Sequence, residues 1–542
     1  MTHRVIANIV RTPVSSPTHS IDNDDPNPPR GVLPRGAAAS LSQGSEAAIG
    51  TGGERTPVSS RFQNTGLSPY WPYCGVARRM VQMAAGNQDL SSWNGFQWRR
   101  KMEAFGDNDE AIVATGVGGE IEAICTHGEL TDKGRETTYA LGTRLRRLYV
   151  DQLGFMPEIK SDTEDMYLRA TPIPRALESL QQAFWGMYPT SARTQDFPPP
   201  VIVARSVTEE TLFPNEGNCR RFRQLARLFA DRAAARWNDS EQMDYLNKLW
   251  SKHMPESSPK VAVDAHPRLS GIMDTINASD AHGPATRLPS EFYDKKGRAI
   301  LDRIAVEEWF AGYNESSEYR KLGIGALMGD VVDRMVSTAV DGGWRSESAA
   351  SGSGIPEAGK SIKFAMSGCH DTTLAAILSS VGGFQDESWP PFTSSVAIEL
   401  FSQAPSTNVD AGKTLEEFSH PSVPAKKPGV LSSLLGGGKS ASKLPTPSET
   451  ARTPVTSFPE ETRDTLRKHY VRIRYNDRPV RIPGCAARAE NHLAGDDTFC
   501  TLDAFKEIVD KFTPQNWQSE CVANLGAGLH GPNDEARATA GF

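Results

Sequence analysis

Apolar residues recur along the chain with two spacings, and these predict alternating strands and helices. Residues 136–150 (ETTYALGTRLRRLYV) bring Tyr139, Leu141 and Leu145 near one face of a helix and leave three arginines for the solvated face. A second helix is predicted at 175–188. Short apolar runs predict strands at 166–168, 199–204, 363–366, 396–401 and 470–475. Strands that alternate with helices favour an α/β core.

One long block of the chain is helical in pattern. Residues 217–340 contain few β-like runs. A helical stretch placed between strands of one core predicts an inserted subdomain, at about 205–345. The pattern as a whole therefore predicts an α/β core with a helical cap.

Three segments lack this patterning. Residues 1–52 are mostly rich in Pro, Ser, Gly and Ala, and they predict a disordered N-terminal segment. Residues 402–460 are rich in Ser, Pro, Gly and Lys and predict a disordered insertion between two strands, which loop-closure entropy tolerates. Residues 522–542 are expected to form a C-terminal tail. The folded domain should then comprise 53–401 and 461–521.

Composition and charge exclude several classes of function. The net charge of −7 and the pI near 6.0 argue against binding to nucleic acid or to an anionic membrane. No apolar run reaches 18 residues, so no transmembrane segment is expected. The first 20 residues do not resemble a secretory signal, which favours an intracellular location, cytoplasmic or mitochondrial, over secretion.

The cysteines indicate no metal centre. The seven cysteines form no CxxC pair and no cluster with His at zinc spacing, so we expect no metal and no other cofactor. Cys485 and Cys500 lie close enough in sequence to form a disulfide.

The candidate chemistry begins at His370 and Asp371. The pair lies between an apolar strand-like run, 362–366, and an apolar helix-like run, 374–378. A strand that ends in His-Asp and opens into a helix places both side chains beside free backbone N–H groups and the positive end of the helix dipole. Such a position suits a phosphate group.

Two arginines could complete a phosphate site. Arg169 follows a predicted strand, and Arg55 lies in a Glu-Arg-Thr-Pro turn. Arginine holds phosphate oxygens with a fixed fork of N–H donors. His370 could donate a further hydrogen bond, and Asp371 could protonate the leaving alkoxide. Each signal alone is weak, since a lone arginine after a strand usually lies at the surface and Asp371 alone could be a helix cap.

The order of these fragments resembles the histidine acid phosphatases, clade 2 of the histidine phosphatase superfamily. The likeness extends over about residues 53–400 and 468–521 and is strongest toward the lysophosphatidic-acid phosphatase branch and its fungal relatives. The segments that carry it are 53–57 (GERTP), 130–134 (LTDKG), 169–179 (RATPIPRALES), 212–219 (LFPNEGNC), 370–374 (HDTTL) and 389–392 (WPPF).

The resemblance implies a fold and an activity. The fold would be a mixed, mainly parallel core sheet with helices on both faces and an inserted helical cap subdomain. The activity would be hydrolysis of phosphate monoesters through a phosphohistidine, without a cofactor, with lysophosphatidic acid or a related lysophospholipid as substrate. His370 and Asp371 would be catalytic, and Arg55, Arg169 and His370 would bind phosphate.

The sequence departs from this family at the nucleophile. The family motif is Arg-His-Gly-x-Arg-x-Pro, and here Thr51 and Gly52 stand at the Arg-His positions. In the family the His of this pair is the nucleophile, so the chain as written is expected to be inactive. No apolar core strand is evident before the two positions either. His127 imitates part of the motif but belongs to the following segment. Two explanations remain open: a pseudophosphatase that binds phospholigands or acts as a scaffold, or an incorrect gene prediction over residues 1–52.

Overall fold

The computed structural model describes residues 41–76, 101–106, 108–343, 361–385, 387–403, 452–529 and 539–542, with the backbone alone for 41–47. The disorder predicted for residues 1–40, and for most of the 402–460 insertion, lies outside the described residues. So does the larger part of the predicted tail beyond 529.

A mixed β-sheet forms the centre of the molecule. The strands of the described chain are β1 Leu41–Thr51, β2 Glu103–Phe105, β3 Ala111–Val113, β4 Met166–Ala170, β5 Ile202–Val203, β6 Phe364–Cys369, β7 Ser395–Gln403, β8 His469–Tyr475, β9 Arg478–Val480, β10 His492–Leu493 and β11 Asp496–Thr501. The central sheet has the order β10-β11-β8-β7-β1-β6-β4-β5, with β9 added beside β8, and a separate hairpin contains β2 and β3. Strands β1, β6, β4 and β5 are parallel, whereas β7, β8 and β11 pair antiparallel, so the parallel part is smaller than expected.

Helices cover both faces of this sheet and confirm the α/β class. They are α1 Asp132–Arg146, α2 Pro174–Met187, α3 Arg220–Trp237, α4 Glu241–Trp250, α5 Leu269–His282, α6 Lys295–Glu315, α7 Ser317–Arg320, α8 Ala326–Asp341, α9 Asp371–Ser380, α10 Glu460–Arg467, α11 Pro483–Ala486, α12 Leu502–Asp510 and α13 Trp517–Glu520. Helices α1 and α2 pack on one face, and α8, α9 and α12 pack on the other.

Local sequence explains where the helices near the site begin. The Thr131 hydroxyl accepts a hydrogen bond from the Gly134 N–H, so α1 starts four residues earlier than predicted. Its predicted last turn lies instead in a π-helical turn, Arg147–Gln152. Pro174 occupies the first position of α2, where the missing N–H costs nothing.

Strand β1 contradicts the expectation that no core strand precedes Gly53. It pairs in parallel with β6 and antiparallel with β7, at the centre of the sheet. Ala48 packs with the helices of one face and Ile49 with those of the other. The strand is not evident from the sequence because residues 45–50 are mostly small. Backbone pairing on both sides, which the sequence pattern does not show, stabilises it.

Two predicted unstructured segments contain packed residues. Within 402–460, β7 continues to Gln403, Val455 is only 1% exposed, and α10 begins at Glu460. The Val455 N–H donates to the Asp510 carboxylate at 2.7 Å. At the chain end, Ala540 is buried, and the Gly541 carbonyl accepts a hydrogen bond from the Gly484 N–H. The boundaries of the folded part therefore extend beyond those predicted.

The helical block divides into two parts. In one apolar cluster, side chains of α4, α5 and the first part of α6 pack with the loop that contains Phe62 and Trp71. This cluster is a cap with a core of its own. The end of α6, with α7 and α8, packs instead into the main core beside α9. The cap is thus shorter than the predicted 205–345 insertion.

Three disulfides cross-link the described chain: Cys74–Cys125, Cys219–Cys521 and Cys485–Cys500. The last is the pair that its sequence spacing suggested. Cys369 is a buried free thiol. Within the described ranges, no helix combines the length and the apolar character needed to cross a bilayer.

Candidate active site

The candidate site lies at the carboxyl ends of β1 and β6. These neighbouring parallel strands pair Thr51 with Cys369, so Gly52 and His370 are the next residues of each strand. Because paired strands lie about 4.8 Å apart, the two positions are adjacent. They line a cavity of about 1000 Å³ between the sheet and the cap. Arg55, Arg175 and Asp371 line the same cavity.

His370 is held as a neutral imidazole. Its Nε2 lies 3.1 Å from the Thr171 hydroxyl. Burial, followed by the charges of Arg175 and Arg55, lowers the pKa of His370 to about 3. The ring is therefore uncharged at neutral and mildly acidic pH. An anion bound between the two arginines would reverse part of this shift and favour a hydrogen bond from the ring.

Asp371 is the first residue of α9, and its carboxylate is fixed from two sides. Oδ1 accepts the Thr372 N–H at 2.8 Å, and Oδ2 accepts the Trp389 indole N–H at 2.8 Å. The Trp389 backbone N–H in turn donates to Asp302 Oδ1 at 3.0 Å. The carboxyl group is thus held at the helix N-terminus and at the wall of the cavity, where a leaving-group acid could act.

Arg55 lies in the cavity but is already paired. Its Nη1 donates to Asp274 Oδ1 at 2.6 Å, and its guanidinium lies over the Phe392 ring. Burial lowers the pKa of Arg55, but the carboxylates of Asp274 and Asp371 outweigh it and leave that pKa raised. Asp274 belongs to α5 of the cap and also accepts the Val58 N–H at 3.0 Å. An anion that binds Arg55 must share it with this carboxylate.

Arg169 does not reach the cavity, contrary to its predicted role as a phosphate ligand. The residue is only 1% exposed, and its Nη2 donates to Glu210 Oε1 at 2.5 Å and to Thr211 Oγ1 at 3.2 Å. The cavity lining includes neither Arg169 nor Glu210. The guanidinium is instead held by Glu210 and Thr211, which the sequence pattern around Arg169 does not reveal.

Arg175, in the first turn of α2, takes the place expected for Arg169. Its guanidinium makes a long hydrogen bond, 3.5 Å from Nη1 to the Gly128 carbonyl. In the described parts of the chain no carboxylate forms a salt bridge with it, although Arg55, Asp371 and Asp274 act on its charge. Burial and the nearby Arg55 lower the pKa of Arg175 to about 10, so it remains cationic. Its charge is therefore available to an anion in the cavity.

His127 is no substitute nucleophile. It is exposed, its Nε2 lies 2.7 Å from the Ser60 hydroxyl, and its ring stacks on Tyr70. It is not among the residues that line the cavity. The arrangement matches the expectation of a loop histidine.

Comparison with known proteins identifies the family. Residues 53–415 match the sequence profile of the histidine phosphatase superfamily (branch 2). The chain belongs to this family. A probable acid phosphatase of Schizosaccharomyces pombe is 35% identical over 476 residues, which is 86% of this chain and 91% of that protein. Human lysophosphatidic acid phosphatase type 6 is 26% identical over 275 residues, or 51% of this chain and 57% of that protein.

A solved structure is also similar to this branch 2 histidine phosphatase. Hafnia alvei phytase in complex with tartrate has a TM-score of 0.47 and 12% identity, and the likeness covers 89% of this chain and 99% of the phytase. The family is one of phosphatases, and it agrees with the acid phosphatase class expected from the motifs.

The family match begins at Gly53, directly after the two positions that depart from the motif. In this branch 2 histidine phosphatase, Thr51 ends β1, and its N–H donates to the Ser394 carbonyl at 2.8 Å. Gly52 follows without a side chain. The backbone of β1 therefore reaches the cavity as part of the sheet, and residue 52 contributes no side chain to it.

The motif glycine after these positions has a packing role. A Cβ on Gly53 would lie 2.2 Å from the Gly134 carbonyl oxygen, so the chain just after β1 meets α1 backbone to backbone. The Gly53 N–H also donates to the Ser179 hydroxyl at 3.1 Å. This contact fixes the direction in which the chain leaves β1 and enters the cavity wall.

Arg175 and Trp389 were missed as site residues in the sequence, although both lie in motif segments. The signal for Arg175 was its position just after Pro174, because a residue in the first turn of a helix projects near that helix's N-terminus. Trp389 carried no comparable signal. Its indole reaches Asp371 only through the tertiary fold.

Proposed function

We propose that this protein binds phosphate monoesters in the cavity, with the phosphoryl group on Arg55, Arg175 and His370. It is an acid phosphatase by descent, and turnover by the chain as written is very slow because no nucleophile stands at residue 52. The observation that carries this proposal is the convergence of two arginines and the His370-Asp371 pair on one cavity, beside the end of β1.

Each group has a distinct part in the proposed chemistry. Arg175 and Arg55 bind the phosphoryl oxygens and neutralise the charge that builds on them in the transition state. His370 adds a hydrogen bond to the same oxygens. Asp371 gives its proton to the leaving alkoxide. Loss of a nucleophile leaves only binding and electrostatic stabilisation, which supply a small part of the usual acceleration.

The walls of the cavity favour a single phosphate on an apolar substituent. Apolar side chains form part of its lining: Met273, Leu301, Trp309, Trp389 and Phe392. Five arginines and four aspartates also line it, so its charges nearly balance, which suits one phosphate better than several. A lysophospholipid fits this description. Lysophosphatidic acid is the compound in the name of one relative, and we extend it to this chain as the preferred candidate.

Binding can be tested without turnover. A ligand that binds only the folded state raises the melting temperature, so phosphate or vanadate at tens of millimolar should raise it by a few degrees. Arg175→Ala should abolish the shift, because it removes a cavity arginine that forms no salt bridge with any described carboxylate. Arg147→Ala, an exposed arginine outside the cavity, should leave it intact. No shift in the unmodified protein would refute the proposed site.

A non-catalytic role is the second candidate, and Gly52 favours it. A protein with an assembled phosphate site and no nucleophile can still bind a phospholigand and report its presence to a partner. If residues 1–52 instead derive from an incorrect gene prediction, the natural chain has an Arg-His pair before Gly53 and is an active phosphatase. Sequencing the 5′ end of the transcript separates these two cases.

We also propose that the protein resides in an oxidising compartment. Three disulfides involve six of the seven cysteines. Disulfides persist in oxidising compartments and are rare in the cytosol. They support an oxidising compartment and weigh against the intracellular location expected from the first 20 residues.

A further inference from the structure

Most of the arginines that line the cavity are already neutralised by a carboxylate. Five arginines line it, and four of them form a salt bridge with a described carboxylate: Arg55, Arg61, Arg268 and Arg298. Within the described ranges Arg175 is the exception. The cavity therefore offers a bound anion little positive charge beyond the proposed phosphoryl position.

Asp274, on α5 of the cap, neutralises two of these arginines at once. Its Oδ1 lies 2.6 Å from Arg55 Nη1, and its Oδ2 lies 3.3 Å from Arg61 Nη1. The Asp274 side chain lines the cavity and is only 11% exposed, so solvent screens its charge weakly. Both guanidinium groups are therefore held against one carboxylate, in the same part of the cavity.

Arg61 would be a position for a second phosphoryl group if Asp274 carried no charge. Arg55 belongs to the proposed phosphoryl position, and Arg61 shares a carboxylate with it. A second phosphoryl group joined to the first needs a cation of its own to offset its charge. In this chain it meets the Asp274 carboxylate instead, and the repulsion grows with the charge of the ligand.

We propose that Asp274 is a specificity-determining residue, which restricts the cavity to ligands with a single phosphoryl group. The inference rests on the phosphate site proposed above and names the residue that limits its charge. Pyrophosphate, and esters with two neighbouring phosphate groups, are disfavoured because Asp274 neutralises the cations that they need. The preferred ligand therefore has one phosphate and a substituent of low charge.

The test is calorimetric titration of the full chain with inorganic phosphate and with pyrophosphate, at one pH, at low ionic strength and without divalent cations. The unmodified protein should bind phosphate more tightly. Asp274→Asn should raise the affinity for pyrophosphate about tenfold and that for phosphate much less, because the removed repulsion scales with ligand charge. Asp274→Ser, which cannot imitate the carboxylate in shape, should do the same. The ratio of the two affinities is the readout, since a general loosening of the fold weakens both ligands alike.

Two further variants show whether the effect is local. Asp231→Asn, on the exposed side of α3, makes the same change in net charge and should leave the ratio unchanged. Arg61→Gln added to Asp274→Asn should remove most of the gain for pyrophosphate. Melting temperatures without ligand check that each variant is folded.

The proposal is overturned if the ratio is unchanged in both Asp274 variants, or if Asp231→Asn shifts it equally. It is also overturned if the unmodified protein already prefers pyrophosphate. Those results, with phosphate still bound, leave the phosphate site standing. Absence of phosphate binding by the unmodified protein and by every variant would instead refute that site, and this inference with it.

Discussion

At the end of β1, two neighbouring glycines have different surroundings, and this difference can be measured. A Cβ at Gly53 would lie 2.2 Å from the Gly134 carbonyl, whereas at Gly52 it would make an ordinary 3.6 Å contact with Ser179. Gly53→Ala should therefore destabilise the protein by about 1–3 kcal/mol, the usual cost of overpacking. Gly52→Ala should be neutral or slightly stabilising, because it reduces the freedom of the unfolded chain.

Thermal or denaturant unfolding of both variants provides the comparison, and each serves as the other's control. Equal stability of the two would show that the chain at Gly53 and α1 do not approach as closely as described. Equal destabilisation would instead show that Gly52 also faces packed structure.

Some residues of the candidate site could be predicted from the sequence and others could not. His370 and Asp371 could be predicted because strand, pair and helix are adjacent in sequence. Arg55 was recognised from its motif. Arg169 and Arg175 are six residues apart, and a choice between them needs the direction of each side chain. That direction depends on the pairing of β4 and on the start of α2, which composition does not specify.

At the scale of elements, regular periodicity was a good guide and small-residue segments were not. The long amphipathic helices and apolar strands lie within a few residues of their predicted positions. Strand β1 was missed because its residues are small and polar, yet it pairs on both sides with β6 and β7. Its position in the sheet depends on β6 and β7, which lie more than 300 residues further along the chain, so the local sequence pattern does not predict it.

Most of the 402–460 insertion should be dispensable for the stability of the fold. Removing 404–451, with a short Gly-containing link from Gln403 to Arg452, should leave the melting temperature nearly unchanged, because this composition cannot form a core. Removing 404–460 should lower it by several degrees. The longer deletion takes away Val455, whose burial is worth about 2 kcal/mol, and its hydrogen bond to Asp510.

The two deletions differ only in nine residues, so the comparison isolates them. A large loss of stability in the shorter deletion would show that the Ser/Pro/Gly-rich part packs. No difference between the two would show that the turn at Val455 contributes nothing to folding.

At the scale of the molecule, one disulfide ties the C-terminal part of the domain to the start of α3. Cys219 and Cys521 are 302 residues apart in sequence. Polar contacts of the nearby Arg221 strengthen the same connection. The Arg221 N–H donates to the Cys521 carbonyl, and the Arg221 guanidinium binds Glu318 and the carbonyls of 527 and 528. This cluster joins the C-terminal segment to the helical part of the main core.

The Cys219–Cys521 cross-link should stabilise the protein more than the Cys485–Cys500 cross-link, which spans 15 residues. In the chain-entropy account, a loop of 15 residues contributes about 3 kcal/mol and a loop of 100 residues about 4.7 kcal/mol. A Cys219→Ala/Cys521→Ala double variant should therefore unfold at lower denaturant concentration than Cys485→Ala/Cys500→Ala. The reducing agent dithiothreitol should lower the melting temperature of the unmodified protein below that of either variant under oxidising conditions. If the double variant at 219 and 521 were as stable as the unmodified protein, the polar cluster around Arg221 alone would hold the C-terminal segment.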